Sequence, residues 1–318
     1  MQDINPGNIL IEKISLPLLS EKKVEADVLR LDKIHPLISG NKWFKLRYYL
    51  EEAKTKNKTT VVTYGGAWSN HILATAAVCK INSLRCIGII RGEEPANPSP
   101  TLIKAIELGM KLIFISREDY EKRNIPEGLD KSGYYFIPEG GYGLHGASGA
   151  ATILDYCKKE TYTHICCAAG TGTMTAGLIK AALPSCKIIA ISILKNNFEL
   201  EENIKLLSSN EEKSFELIHD YHFGGYAKYK PALIDFMNEF YRQTDIPSDF
   251  VYTGKLFFAV KDLVNNNFFS AGSKFLIIHS GGLQGNASLS NGTLIFCFFA
   301  LLPYLCFYWQ TNPILISF

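Results

Sequence analysis

The chain has 318 residues, 33 Lys and Arg against 31 Asp and Glu, a formal net charge of +2 and 47% hydrophobic residues. That length suits two domains or one large α/β unit with a sizeable core, and the interspersed charge presents no clustered basic face for nucleic acid. Eight cysteines without C-x-x-C spacing, and an N-terminus without the basic-then-apolar form of a signal peptide, give the expectation of reduced thiols in a cytoplasmic protein with no metal site.

The first informative stretch is Ser39-Gly40-Asn41-Lys42-Trp43-Phe44-Lys45-Leu46, where a polar turn hands over to an amphipathic helix expected over 42–54. Lys42 is a candidate nucleophile, because a partly desolvated lysine amine condenses with carbonyls. Taken alone that is weak evidence, because a lysine at a helix start is far more often a solvated surface residue. From about residue 59 onward, short β-branched runs alternate with helical patterns, the signature of βα units and a parallel sheet. Strands are expected over 59–64, 84–90, 111–115, 134–137, 164–168, 187–193, 215–218 and 274–279. Helices are expected over 69–80, 100–108, 145–159, 175–183, 199–207, 231–242 and 254–265.

Three strand-to-helix junctions carry glycines, and such junctions bind anions through free N–H groups and the helix dipole. Tyr64-Gly65-Gly66-Ala67-Trp68-Ser69-Asn70-His71 offers hydroxyl, amide and imidazole at a helix start and suits a carboxylate; plain capping by Ser69 or Asn70 is the alternative. Ala168-Ala169-Gly170-Thr171-Gly172-Thr173-Met174-Thr175 is neither a Walker A loop nor a G-x-G-x-x-G pattern, and its glycines and hydroxyls fit a single phosphate monoester; a tight strand-to-helix turn is the alternative. Pro138-Glu139-Gly140-Gly141-Tyr142-Gly143-Leu144-His145 is a loop opening a helix, with Glu139 read as structural. Phe223-Gly224-Gly225-Tyr226, Val251-Tyr252-Thr253-Gly254-Lys255 and His279-Ser280-Gly281-Gly282 bring hydroxyls to loops where α/β sheets place ligands. The run 294–309 is apolar and uncharged, shorter than the roughly 20 residues of a membrane span and interrupted by Pro303. It reads as a tail folded onto the body, a marginal anchor, or, the favoured reading, a sequence foreign to the fold.

Together these segments resemble the pyridoxal-phosphate-dependent family of 1-aminocyclopropane-1-carboxylate deaminase and D-cysteine desulfhydrase, over roughly residues 8–286. The resemblance implies an α/β fold of two open twisted parallel-sheet domains, of the tryptophan-synthase β-like kind known as fold type II. It places a large cofactor domain over 1–45 and 157–290, a small domain over 46–156 and an atypical apolar tail over 291–318. It implies a homodimer with a small amino-acid substrate and no nucleic-acid or membrane partner. Lys42 looks like the Schiff-base lysine, Asn70 like the partner of the cofactor's phenolic oxygen and Ser69 like the holder of the substrate carboxylate. Gly170, Thr171, Gly172, Thr173 and Met174 resemble the phosphate cup, and Tyr226 and Tyr252 the active-site tyrosines. Met174 stands where a hydroxyl residue is usual, so weaker cofactor binding is expected. The residue after the tyrosine is glutamate in the deaminase branch and Thr253 here. With Thr253 or Ser280 as the neutral partner of the pyridine nitrogen, the resemblance points to β-elimination from a D-cysteine-like substrate, giving pyruvate, ammonia and sulfide. The expected class is lyase, deaminase or hydrolase. The alternatives are a cyclopropane deaminase giving 2-oxobutanoate and a degenerate, non-catalytic cofactor-binding protein.

Overall fold

A computed structural model describes residues 4–38, 40–129, 132–209 and 215–296. In chain order it contains β1 (Leu10–Ile14), α1 (Pro17–Glu21), β2 (Glu25–Arg30), α2 (Asn41–Thr55), β3 (Thr60–Gly65), α3 (Asn70–Ile81), β4 (Arg85–Arg91), α4 (Pro100–Glu107), β5 (Met110–Ile115) and α5 (Arg117–Glu121). The second half holds β6 (Tyr135–Ile137), α6 (Leu144–Ala151), β7 (His164–Ala169), α7 (Thr173–Ala181), β8 (Lys187–Ser192), α8 (Leu200–Leu207), β9 (Phe215–Ile218), α9 (Pro231–Thr244), α10 (Thr253–Asn265) and β10 (Lys274–His279).

Two sheets result. One has the order β1-β2-β10-β7-β8-β9 and the other β5-β4-β3-β6. All pairings are parallel except β1 with β2, so the α/β class expected from the alternating pattern holds, with one antiparallel edge added.

The central strands of the six-stranded sheet, β2, β10, β7 and β8, are buried on both faces, as their apolar runs require. Side chains alternate between two cores: Val28, Cys166, Ile189 and Ile277 face α9 and α10, whereas Leu29, Ile165, Ile188 and Leu276 face α7. The four-stranded sheet has its own core with α3 and α4. Helix α2 belongs to both bodies: Phe44 packs into the core of the larger sheet, and Leu46, Tyr49, Leu50 and Ala53 into that of the smaller.

Two departures from the sequence expectation have local causes. The helix expected over 145–159 stops being α-helical at Ala151 and continues as a 3-10 stretch, Thr152–Tyr156. There the Thr152 hydroxyl donates to the Gly149 carbonyl at 2.7 Å, a local bond that tightens the last turn. The apolar tail divides. Leu294 and Phe296 are buried in the larger core, Phe296 lies 4.8 Å from the Tyr241 ring, and Asn238 bonds the backbone on both sides, to the Thr293 carbonyl and the Ile295 amide. The start of the tail is therefore folded onto the body; residues 297–318, with the rest of that expectation, lie outside the described residues, as does Ser39. Among the described residues no helix is long and apolar enough to cross a membrane.

Candidate functional site

The segments that follow β7 and β10 meet at the start of α2, and the start of α3, which follows β3, reaches the 279–282 loop. Gly40 is the residue before that helix, at φ 67° and ψ −142°, and a Cβ there would lie 1.8 Å from the Ser280 carbonyl oxygen. Only glycine permits both the positive φ and the contact. Asn41 then ties the helix start to two loops: its N–H donates to the Ser280 carbonyl at 3.1 Å and its side-chain amide to Met174 Sδ at 3.3 Å. Lys42 follows, partly buried, its ammonium donating to Asn41 Oδ1 at 3.0 Å. Burial lowers its pKa from 10.5 to about 8, with the charge of Asp249 opposing the shift. The surface reading of Lys42 therefore fails.

At the start of α3, Ser69 is the N-cap, its Oγ accepting from the amides of His71 and Ile72. Capping occupies the oxygen and leaves the hydroxyl proton for a ligand. Asn70 Oδ1 is enclosed with no partner among the described residues. His71 departs from the carboxylate-pocket expectation: it is buried, with Nε2 2.8 Å from the Thr63 hydroxyl. Because that hydroxyl donates to the Ile137 carbonyl, it accepts from Nε2–H. Burial and then the charges of Lys42 and Lys45 push the imidazole pKa down to about 3, so His71 is a neutral core residue.

The loop after β7 enters α7 through Gly172, at φ 78°, where a Cβ would meet Ile204 at 2.7 Å. No side chain caps this nine-residue helix, and its first N–H groups face an anion site. The hydroxyls of Thr171 and Thr173 are 3.0 Å apart, and the Gly170 carbonyl is held by Asn197 at 3.2 Å. Met174 is buried in the core beside β7, with its sulfur toward Asn41. The side chain thus fastens α7 to α2, and the loop keeps the residue's backbone amide. On α2, one turn after Lys42, lies Lys45, 5% exposed, whose Cβ would stand 3.0 Å from a Cβ on Gly141. Its pKa is driven well below 10.5 by burial and by Lys42, with Cys167 of β7 opposing.

The opposite wall is built on Asp249. This buried carboxylate accepts from the amides of Val251, Tyr252 and Thr253 and from the Thr253 hydroxyl, at 2.7 to 3.0 Å. The Thr253 hydroxyl in turn accepts from the Asp249 amide at 2.7 Å, so its one proton is committed. Tyr252 is thereby aimed at the phosphate loop, where a Cβ on Gly170 would lie 3.3 Å from its ring. Tyr226 meets it edge-on, ring centres 6.3 Å apart. Burial raises the pKa of both phenols, that of Tyr252 well above 10. The loop carrying Tyr226 is held by Lys255, which is fully buried and donates to the carbonyls of His222 and Gly225 at 2.9 and 2.8 Å. Ser280 is 8% exposed. Its neighbour His279 contacts the Pro247 carbonyl through Nε2 at 2.7 Å and lies 3.2 Å from Asp32 through Nδ1. Asp32 is paired with the buried Arg30. A Cβ on Gly282 would lie 3.0 Å from the Asn70 amide nitrogen and 3.3 Å from the Asp249 carboxyl carbon, which brings α3, the 279–282 loop and the Asp249 wall to one point.

The sequence candidates Lys42, Met174 and Ser280 are thus linked through Asn41, and Tyr252, with Tyr226 against it, Thr253 and Asn70 through Asp249 and Gly282, with Ser69 next to Asn70 in the chain. Sequence reasoning missed three residues as site components. Lys45 follows Lys42 by three positions and so shares its helix face, a readable signal. Asp249 precedes a helix with Thr253 four residues on, a capping pattern. Lys255 gave no local signal, because its partners are carbonyls 30 and 33 residues away in sequence. Among the described residues no group of three His, Cys, Asp or Glu is placed to hold a metal ion.

The donor set fits pyridoxal phosphate. An uncapped helix start with two hydroxyls suits a phosphate, an amide oxygen without a partner leaves Asn70 open to a donor group of a ligand, and a desolvated amine suits an aldehyde. The comparisons agree. The model of the pyridoxal-phosphate-dependent enzymes matches residues 11–281. A Thermotoga maritima protein named "Putative 1-aminocyclopropane-1-carboxylate deaminase" is 32% identical over 297 residues, 85% of this chain and 93% of that protein. A bifunctional D-cysteine desulfhydrase/1-aminocyclopropane-1-carboxylate deaminase of Arabidopsis thaliana mitochondria is 28% identical over 78% of this chain and 70% of its own length. The solved structure of an ACC deaminase homologue superposes with a TM-score of 0.74 at 26% identity, covering 89% of this chain and 92% of the other. The hydrolase expectation is corrected, since these relatives are named as deaminase and desulfhydrase. The fold is fold type II, and the chain is a member of the pyridoxal-phosphate-dependent enzyme family.

Proposed function

We propose that this enzyme eliminates the β-substituent of a small, D-cysteine-like amino acid, giving pyruvate, ammonia and sulfide. Bound pyridoxal phosphate supplies the carbonyl that captures the substrate amine and the ring that accepts the electrons of the broken Cα–H bond. The amides and hydroxyls of residues 170–174 would hold its phosphate, Asn70 its phenolic oxygen, and Lys42 its carbonyl carbon. Ser280 is the hydroxyl we assign to the ring nitrogen, because the Thr253 proton is committed to Asp249. Lys42, once released, takes the α-proton; a pKa near 8 leaves a useful fraction of free amine at neutral pH. The Ser69 hydroxyl and the α3 N-terminus receive the substrate carboxylate. Tyr226 and Tyr252, phenols whose pKa is raised, donate toward the leaving group.

The observation that carries this reading is that both residues offered for the ring nitrogen are neutral hydroxyls, Ser280 and, fully buried after Tyr252, Thr253. Cyclopropane opening would draw on a carboxylate there to hold the ring nitrogen protonated. The competing deaminase reading is supported by the names of the relatives. Incubating the cofactor-loaded protein with D-cysteine, L-cysteine and 1-aminocyclopropane-1-carboxylate separates them: sulfide with pyruvate supports elimination, 2-oxobutanoate supports ring opening, and no turnover supports a non-catalytic protein. The same reading takes the enzyme as a cytoplasmic homodimer, divided into a larger part over 1–45 and 157–290 and a smaller one over 46–156. Phe198 at 85% exposure and Ile103 and Ile106 on one face of α4 are apolar surface that a second copy would cover; light scattering tests it.

A further inference from the structure

A cavity of about 350 Å³ opens on the outer side of the site, walled by Trp68, Asn70, Tyr226, Tyr229, Phe250 and Tyr252. Asn70 and Tyr252 belong to the site itself, so the cavity is continuous with it. Its volume is about ten times the roughly 30 Å³ that one water molecule occupies, far more than a departing sulfide needs. None of its lining residues is charged. The walls are aromatic faces held in place: Tyr229 stands edge-on to Phe250 at 5.5 Å and 79°, as Tyr226 does to Tyr252 at 6.3 Å and 73°. Trp68, Tyr226 and Tyr229 leave 39%, 48% and 45% of their surface open, which is apolar area without a cover.

We propose that this cavity seats a flat apolar leaving group, so that the preferred substrates are cysteine S-conjugates bearing an aromatic substituent on sulfur. The proposal rests on the elimination reading above and names its substrate class. Fixed ring edges and faces are preorganised for offset or edge-on packing with a further ring. In the step itself Lys42 removes the α-proton, the electron pair becomes the Cα=Cβ bond, and the Cβ–S bond breaks with its electrons on sulfur. The arenethiolate takes a proton, and one water hydrolyses the enamine product, so S-phenylcysteine and water give thiophenol, pyruvate and ammonia.

The test uses the cofactor-loaded protein, its Trp68→Ala and Tyr229→Ala variants, and both hands of each compound. Turnover of cysteine and S-phenylcysteine is followed by pyruvate release. Binding of alanine and homophenylalanine, in which a methylene replaces the sulfur and cannot leave, is followed by calorimetry. The expected result is kcat/KM at least ten-fold higher for S-phenylcysteine than for cysteine, and homophenylalanine bound at least ten-fold tighter than alanine. Each variant should erase most of both advantages while kcat/KM for cysteine stays within about two-fold. Homophenylalanine bound no tighter than alanine, or cysteine preferred over S-phenylcysteine, overturns the proposal. Variant-sensitive binding of homophenylalanine without pyruvate from either substrate upholds the cavity assignment and overturns the elimination reading.

Discussion

Lys42 and Met174 illustrate how burial decides what a side chain does. With its pKa near 8, Lys42 is half deprotonated in weakly alkaline buffer. The rate at which the cofactor-free protein takes up pyridoxal phosphate should therefore climb between pH 7 and 9 with a midpoint near 8; a pH-independent rate would remove the desolvated-amine argument. The sign for stability follows from the same number. Below about pH 8 the amine is protonated in both states and burial opposes folding in full; between about 8 and the ordinary 10.5 the unfolded chain holds a proton the folded one has shed, so stability rises with pH. Lys42→Met should flatten that rise in denaturant titrations of the cofactor-free protein. Met174 was readable in sequence only as a missing hydroxyl. Its side chain is core, bonded to Asn41, so Met174→Thr should cost about 2 kcal/mol of stability without tightening the cofactor. A ten-fold gain in cofactor affinity would restore the phosphate-cup explanation.

Among the elements, the seam between α2 and the 279–282 loop is the most demanding. Gly40→Ala must absorb both a 1.8 Å contact and a positive φ, so at least about 2 kcal/mol should be lost, with cofactor retention falling alongside. Gly66→Ala, where a Cβ meets nothing within 4 Å, should change denaturant midpoints little and serves as the control. The boundaries of most helices and of β3 to β10 were legible, because β-branched runs broken by glycine and polar turns are the physical cause of those elements. The strands β1 and β2 were not. Leu10–Ile14 and Glu25–Arg30 interleave charges with apolar residues, and two of those charges are buried: Arg30 pairs with Asp32 and Glu12, and Asp27 accepts from Tyr162. Their partners lie on the neighbouring strand or beyond the strands altogether, where the periodicity of one strand does not report them. The same holds for the site: glycine-bounded loops were visible, whereas the Asp249 carboxylate and the Lys255 ammonium act through contacts that the fold alone creates.

At the scale of the molecule, the larger core closes only with the chain beyond residue 290. A chain ending at Ser290 loses the buried Leu294 and Phe296 and should be destabilised by about 3–5 kcal/mol relative to one ending at Phe296; equal melting of the two would show that these side chains add nothing. The position of α2 has a further effect. Its Phe44 is anchored in one core and its Leu46 to Ala53 face in another, so neither sheet can lose its packing without pulling a shared rod out of its neighbour. Scanning calorimetry should accordingly give a single endotherm, with calorimetric and van't Hoff enthalpies in agreement; two resolved transitions would mean the rod belongs to one half only. Heat would then inactivate the enzyme by dismantling it as a whole, with no surviving half able to keep its grip on the cofactor.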